Sequence, residues 1–134
     1  MILAEPLHIL PQGRRARPRK APARRAEAHL CRLLETAVAA SFAVPRASLR
    51  ARSRCRADVA FARQAAMYLA HVAFGLSYSA TGRLFGRDRT TAAHACRLVE
   101  ERRDDPGTDR LLHTLEAICV QLAHSAGSRV EFRA

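Results

Sequence analysis

The chain has 134 residues, about one ordinary domain on the usual scale of roughly 100 to 200 residues, which leaves no room within it for a second enzyme-sized unit. Its 23 basic and 12 acidic residues give a formal charge of +11, and every basic residue except Lys20 is Arg, whose planar fork grips phosphate and guanine edges and so points to a nucleic acid. Hydrophobic residues make up 49%, many of them alanine, with 5% aromatics and no Trp, a composition for close-packed helices.

Charge is uneven along the chain: residues 1–26 carry +6, 27–45 carry −1, 46–63 carry +5, 64–99 carry +3 and 100–134 carry −2. Residues 13–26 are mostly Arg, Ala and Pro and bury too little apolar surface to repay ordering, so residues 1–26 are expected to be a flexible, disordered basic arm that tracks phosphates. From Ala28 the residues Leu30, Leu33, Leu34, Ala37, Val38, Ser41 and Phe42 fall at helical spacing, an amphipathic helix. Val44-Pro45 ends it, and Pro45 opens a short second helix through Leu49. Arg then stands at every second position from 50 to 56, a basic loop.

A third helix is predicted from Asp58, as N-cap, to Phe74, with Val59, Ala62, Ala66, Leu69, Ala70 and Ala73 on one side and Gly75 as its stop. Ser77 or Ser79 caps a short helix carrying Tyr78, Leu84 and Phe85, closed by Gly86. Asp88 caps a longer helix to about Arg103. Its inner face is Ala92, Ala95, Cys96 and Val99, while Arg89, Thr90, Ala93, His94 and Arg97 look outward. Asp104-Asp105-Pro106-Gly107 ends it. A last helix spans residues 109–124 with Leu111, Leu112, Leu115, Ile118, Cys119 and Leu122 inward. Residues 125–134 form a tail, in which 130–133 have strand character but no partner strand. The folded domain is thus expected over 27–124.

Cys31, Cys55, Cys96 and Cys119 are too widely spaced for a C-x-x-C pair and read as reduced thiols of a cytoplasmic, nucleoid-associated protein. Cys31, Cys96 and Cys119 lie on apolar faces as small core hydrophobes. His94 with Cys96 lacks a second ligand pair at zinc spacing, so no metal or other cofactor is expected. Arg63 interrupts the best apolar run, which excludes a membrane helix, and the basic block follows the apolar start instead of leading it, unlike a secretory leader.

A short helix, a tight Gly-containing turn and a longer helix with polar residues at its start form the pattern of a helix-turn-helix. In that motif the second helix enters the major groove. Its leading residues here are Arg87, Asp88, Arg89, Thr90, Thr91 and, one turn on, His94, with Arg97 beyond. They can donate to guanine, exchange hydrogen bonds with other bases and cover a thymine methyl, and the helix N-terminus attracts phosphate. Ser77, at the start of the first helix of the motif, joins the contact set.

The stretch Arg63-Gln64-Ala65-Ala66-Met67-Tyr68-Leu69, followed by Gly82, Phe85, Gly86-Arg87-Asp88-Arg89-Thr90-Thr91 and His94-Ala95-Cys96, resembles the C-terminal DNA-binding domain of the bacterial chromosomal replication initiator DnaA, over about residues 28–124. The resemblance implies an all-α domain in which a long helix precedes a helix-turn-helix that reads a short asymmetric duplex box. It implies that Arg63 and Gln64 contact the DNA backbone and that Asp88, Thr90, Thr91 and His94 lie on the recognition helix. A minor-groove arginine would come from Arg52, Arg54 or Arg56, with Arg54 preferred. Initiators usually carry Gly-Gly-Arg-Asp-His-Thr-Thr; this chain has one Gly fewer, and Arg89 replaces the His, which favours a bidentate grip on guanine. No G-x-x-x-x-G-K-[ST] phosphate loop occurs and the chain is too short for an ATPase module, so the expectation is a stand-alone helix-turn-helix protein.

Catalysis finds no footing. Ser41, Ser77 and Ser79 lack a nucleophile elbow, and His94 has no acid partner set by the sequence. Glu100, Glu101, Asp104 and Asp105 crowd a helix end, where they repel nucleic acid and orient the domain. Three functions stay open. The first is a duplex-DNA-binding transcriptional regulator, an activator working with an RNA polymerase-associated or sigma-like partner. Short proteins of this architecture resemble regulators of prophage-like elements and gene transfer agent clusters. The second is a modulator of replication that competes at initiator boxes. The third is a basic RNA-binding protein, for which exposed aromatics or Gly-rich clamps are wanting.

Overall fold

A computed structural model of the chain describes residues 21–51 and 56–125, with side chains from residue 24 onward. The expected arm over residues 1–20, the tail over 126–134 and the minor-groove candidates Arg52 and Arg54 lie outside the described residues. The regular structure within them is helical throughout, the all-α fold expected.

Helix α1 is Ala21–Phe42. It begins seven residues before the predicted start at Ala28. Ala and Arg are strong helix formers, and Pro22 sits in the first turn, where its missing N–H breaks no bond. Apolar patterning registers only the part with core contacts, which starts at the buried Leu30. The helix stops at Ala43, which is left-handed at φ 54°; the Val44 N–H reaches back to the Ala39 carbonyl at 3.0 Å. Pro45 then caps a 3-10 turn, Arg46–Leu49, whose Leu49 is fully buried.

Helix α2, Ala57–Phe74, is the centre of the domain: residues 65 to 70 are all buried, so no face of that stretch is free. Its N-cap is Arg56, not Asp58; Asp58 instead sits in the first turn and accepts from the Val59 N–H at 2.9 Å. A carboxylate is as welcome inside the first turn as at the cap, because both meet free N–H groups and the positive end of the helix dipole. Gly75 ends the helix at φ 69°.

Helices α3, Tyr78–Leu84, and α4, Arg89–Arg102, follow and pack on each other and on α2. Helix α5, Pro106–Ser125, closes the bundle against α1 and α2. It starts at Pro106, three residues before the prediction, because Asp105 accepts from the Thr108 N–H at 2.8 Å and Pro is well placed at a first helical position. Its buried residues are Leu112, Leu115, Cys119 and Ala123, with Leu111 and Leu122 packed beside them. Ile118, predicted inward, is 38% exposed, since it lies one step round from that stripe.

Cys31, Cys96 and Cys119 are buried and free. Burial pushes their thiols up to about 12, about 11 and about 12 respectively, as core hydrophobes rather than nucleophiles. Arg103, just past α4, ties three helices together: it donates to Asp109 at 2.6 Å, to the Tyr68 hydroxyl at 3.0 Å and to the Glu116 carboxylate. Among the described residues no helix is long and apolar enough to cross a membrane.

Candidate nucleic-acid interface

The pair α3 and α4 is joined by the tight turn of residues 85–88. Ser77 caps α3, its Oγ accepting from the Ala80 N–H at 3.0 Å. Phe85 drives the turn into the core at 1% exposure, and Gly86 takes the left-handed φ of 67° that reverses the chain. Gly82 lets the two helices close up. A Cβ there would lie 2.7 Å from both the Arg87 and Asp88 carbonyl oxygens, and the Arg87 N–H already donates to the Gly82 carbonyl at 2.7 Å.

Asp88 caps α4, accepting from the Thr91 N–H at 2.7 Å. That bond holds its carboxyl below the usual carboxylate range. Along α4 the small or compact residues Ala92, Ala95, Cys96 and Val99 are buried, as predicted. Arg89, Thr90, Thr91, His94 and Arg97 are all exposed. The fold therefore gathers five of the predicted contact residues at and beyond the start of one capped helix. His94 and Cys96 point to opposite sides of it, so they form no metal pair.

Other predicted contacts are engaged within the protein. Arg63 donates from Nε to the Leu49 carbonyl at 3.0 Å and from Nη2 to the Ser48 carbonyl at 2.9 Å. Arg87 donates from Nη2 to the Ala51 carbonyl at 2.7 Å. Both are half-buried, as is Gln64 beside Arg63. Arg56 is exposed and pairs with Asp58 at 3.3 Å.

Sequence reasoning passed over Glu35. It is 1% exposed, and its Oε1 receives Arg50 from Nε at 2.8 Å and Nη2 at 2.6 Å, while its Oε2 lies 3.6 Å from Arg46 Nε. The signal was there: Glu35 follows Leu34 inside the stripe of Leu30, Cys31, Leu34 and Val38, and a carboxylate in an apolar stripe requires a cation.

The family described as the bacterial dnaA protein helix-turn-helix matches residues 31–99. The chain belongs to that family. The match runs from the middle of α1 through Val99 of α4 and so includes α3, the turn and all but the last three residues of α4, in agreement with the resemblance read from the two sequence blocks. A DnaA helix-turn-helix is a DNA-binding domain of a non-catalytic type, and in helix-turn-helix motifs generally the second helix is the one that enters the major groove.

Proposed function

We propose that the chain is a sequence-specific regulator of transcription that reads duplex DNA with the start of α4. The observation that carries this reading is the exposed set Arg89, Thr90, Thr91, His94 and Arg97 on a helix capped by Asp88. Seated in the major groove, Arg89 offers a bidentate grip to guanine, the threonines offer a hydroxyl and a methyl, and His94 reaches one turn deeper. Ser77 and Arg56, at the caps of α3 and α2, and Gln64, two turns into α2, supply backbone contacts, and Arg54 supplies the minor-groove contact. The basic residues of 1–20 add affinity for any sequence.

As an activator the protein passes binding on to an RNA polymerase or sigma-like partner. The face of α5 and the exposed acidic residues Glu100, Glu101, Asp104 and Asp105 are the surfaces available for it. The family match also favours a second role, competition with initiator at its own boxes. Genome-wide occupancy mapping combined with promoter reporters separates the two. Promoter peaks whose reporters respond support regulation of transcription; peaks confined to the origin support the competitor.

A further inference from the structure

Glu35 lies far in sequence from the helix-turn-helix, yet the connection to it is short. Its carboxylate holds Arg50, and the next residue, Ala51, offers the carbonyl that Arg87 donates to at 2.7 Å. Arg87 directly precedes the cap of α4. The Arg50 guanidinium also sits 5.8 Å from the ring centroid of Phe85, the buried residue that opens the turn. From the other side, Arg63 of α2 clamps the Ser48 and Leu49 carbonyls. Residues 46–51 thus form a bracket pinned to α1 by Glu35, to α2 by Arg63 and to the turn by Arg87.

We infer that Glu35 is a positioning residue for the recognition helix: its carboxylate fixes Arg50 and, through residues 48–51, the turn that aims the first side chains of α4 at base edges. This rests on the reading of α4 as the base-reading helix. Base readout demands placement to about 0.5 Å, whereas attraction to phosphates depends mainly on charge. The Arg46 and Arg50 side chains are 50% and 46% exposed, so Glu35→Gln frees them to water while adding one unit of positive charge. Specific and non-specific binding therefore move in opposite directions.

The test uses the full chain. A box is selected from random duplexes with the natural protein, and affinities for the box and a scrambled duplex are measured well below each variant's melting temperature. Glu35→Gln is expected to lower the box-to-scrambled ratio roughly tenfold, the worth of about one base pair's readout, without weakening the scrambled duplex. Glu35→Gln with Arg50→Gln restores the natural net charge and is expected to keep the low ratio, no lower than either single change. An unchanged ratio in Glu35→Gln, a parallel fall on both duplexes, or a return to the natural ratio in the double variant overturns the inference. Should Glu35→Gln fail to fold, Glu35→Asp keeps the charge and loses the reach; a natural ratio there overturns it equally. A natural protein that selects no box defeats the proposed function itself, before any variant is made, and this inference with it.

Discussion

Arg63, Arg87 and Arg89 look alike in the sequence, yet the fold assigns them different work. Arg63 supplies two backbone carbonyls with partners, so Arg63→Ala is expected to lower stability by about 1–3 kcal/mol, the cost of leaving half-buried acceptors unpaired. Thermal denaturation checks this, and an unchanged melting temperature would show that water replaces the guanidinium. Thr81 presents the reverse case. It is fully buried and its hydroxyl has no partner among the described residues, so Thr81→Val is expected to stabilise by about 1 kcal/mol, raising the melting temperature by roughly 4–8 °C. A fall instead would reveal a bond that the hydroxyl makes. Neither assignment was legible in the sequence, because an arginine's partner carbonyl and a threonine's burial are both set by chain distant from them.

The elements were legible where one periodicity ruled them. Helix α4 shows this best: its buried face is the predicted Ala92, Ala95, Cys96 and Val99, and its cap is the predicted Asp88. Boundaries set by propensity alone were not, as the early start of α1 shows, and neither was Glu35, a polar residue written into an apolar stripe. Two element-scale outcomes follow from the caps and the turn. Gly82→Ala puts a methyl 2.7 Å from two carbonyl oxygens that cannot swing away, so it is expected to cost about 1–3 kcal/mol of stability and to tilt α4; calorimetry together with box binding reads both. Asp88 and Asp105 each have a carboxyl held below the usual range by bonds from the following turn. A lowered folded-state value means that the caps stabilise above the ordinary carboxylate range and lose that contribution as pH falls through the lowered values. Amide protection factors at the first turns of α4 and α5, taken relative to the intrinsic exchange rate at each pH, should therefore fall on acidification below about pH 4, while those of the Asn variants, which cap without titrating, should change less.

Across the whole molecule, the charge of +11 separates into parts with different uses. Residues 1–20 hold five basic residues and one acidic, and phosphate contacts contribute about 0.9 each to the slope of log affinity against log salt. Deleting residues 1–20, which stops short of α1, is expected to weaken all duplexes alike and to flatten that slope. An unchanged slope would show that this segment takes no part. Within the bundle several arginines hold protein instead: Arg50 neutralises Glu35, and Arg103 joins α4 to α2 and α5. Arg89 and Arg97, exposed on α4, are the charges that the proposed reading sets against the major groove.

The measurement that bears most directly on base reading by α4 is the sequence preference of the natural protein and Arg89→Ala, determined by selection from random duplexes. The predicted result is a single short box, with the variant losing preference at one position, binding weaker by about 1–3 kcal/mol, and keeping its preference elsewhere. Equal losses on box and scrambled DNA, or an unaltered preference at every position, would place Arg89 on phosphate or off the DNA and contradict it.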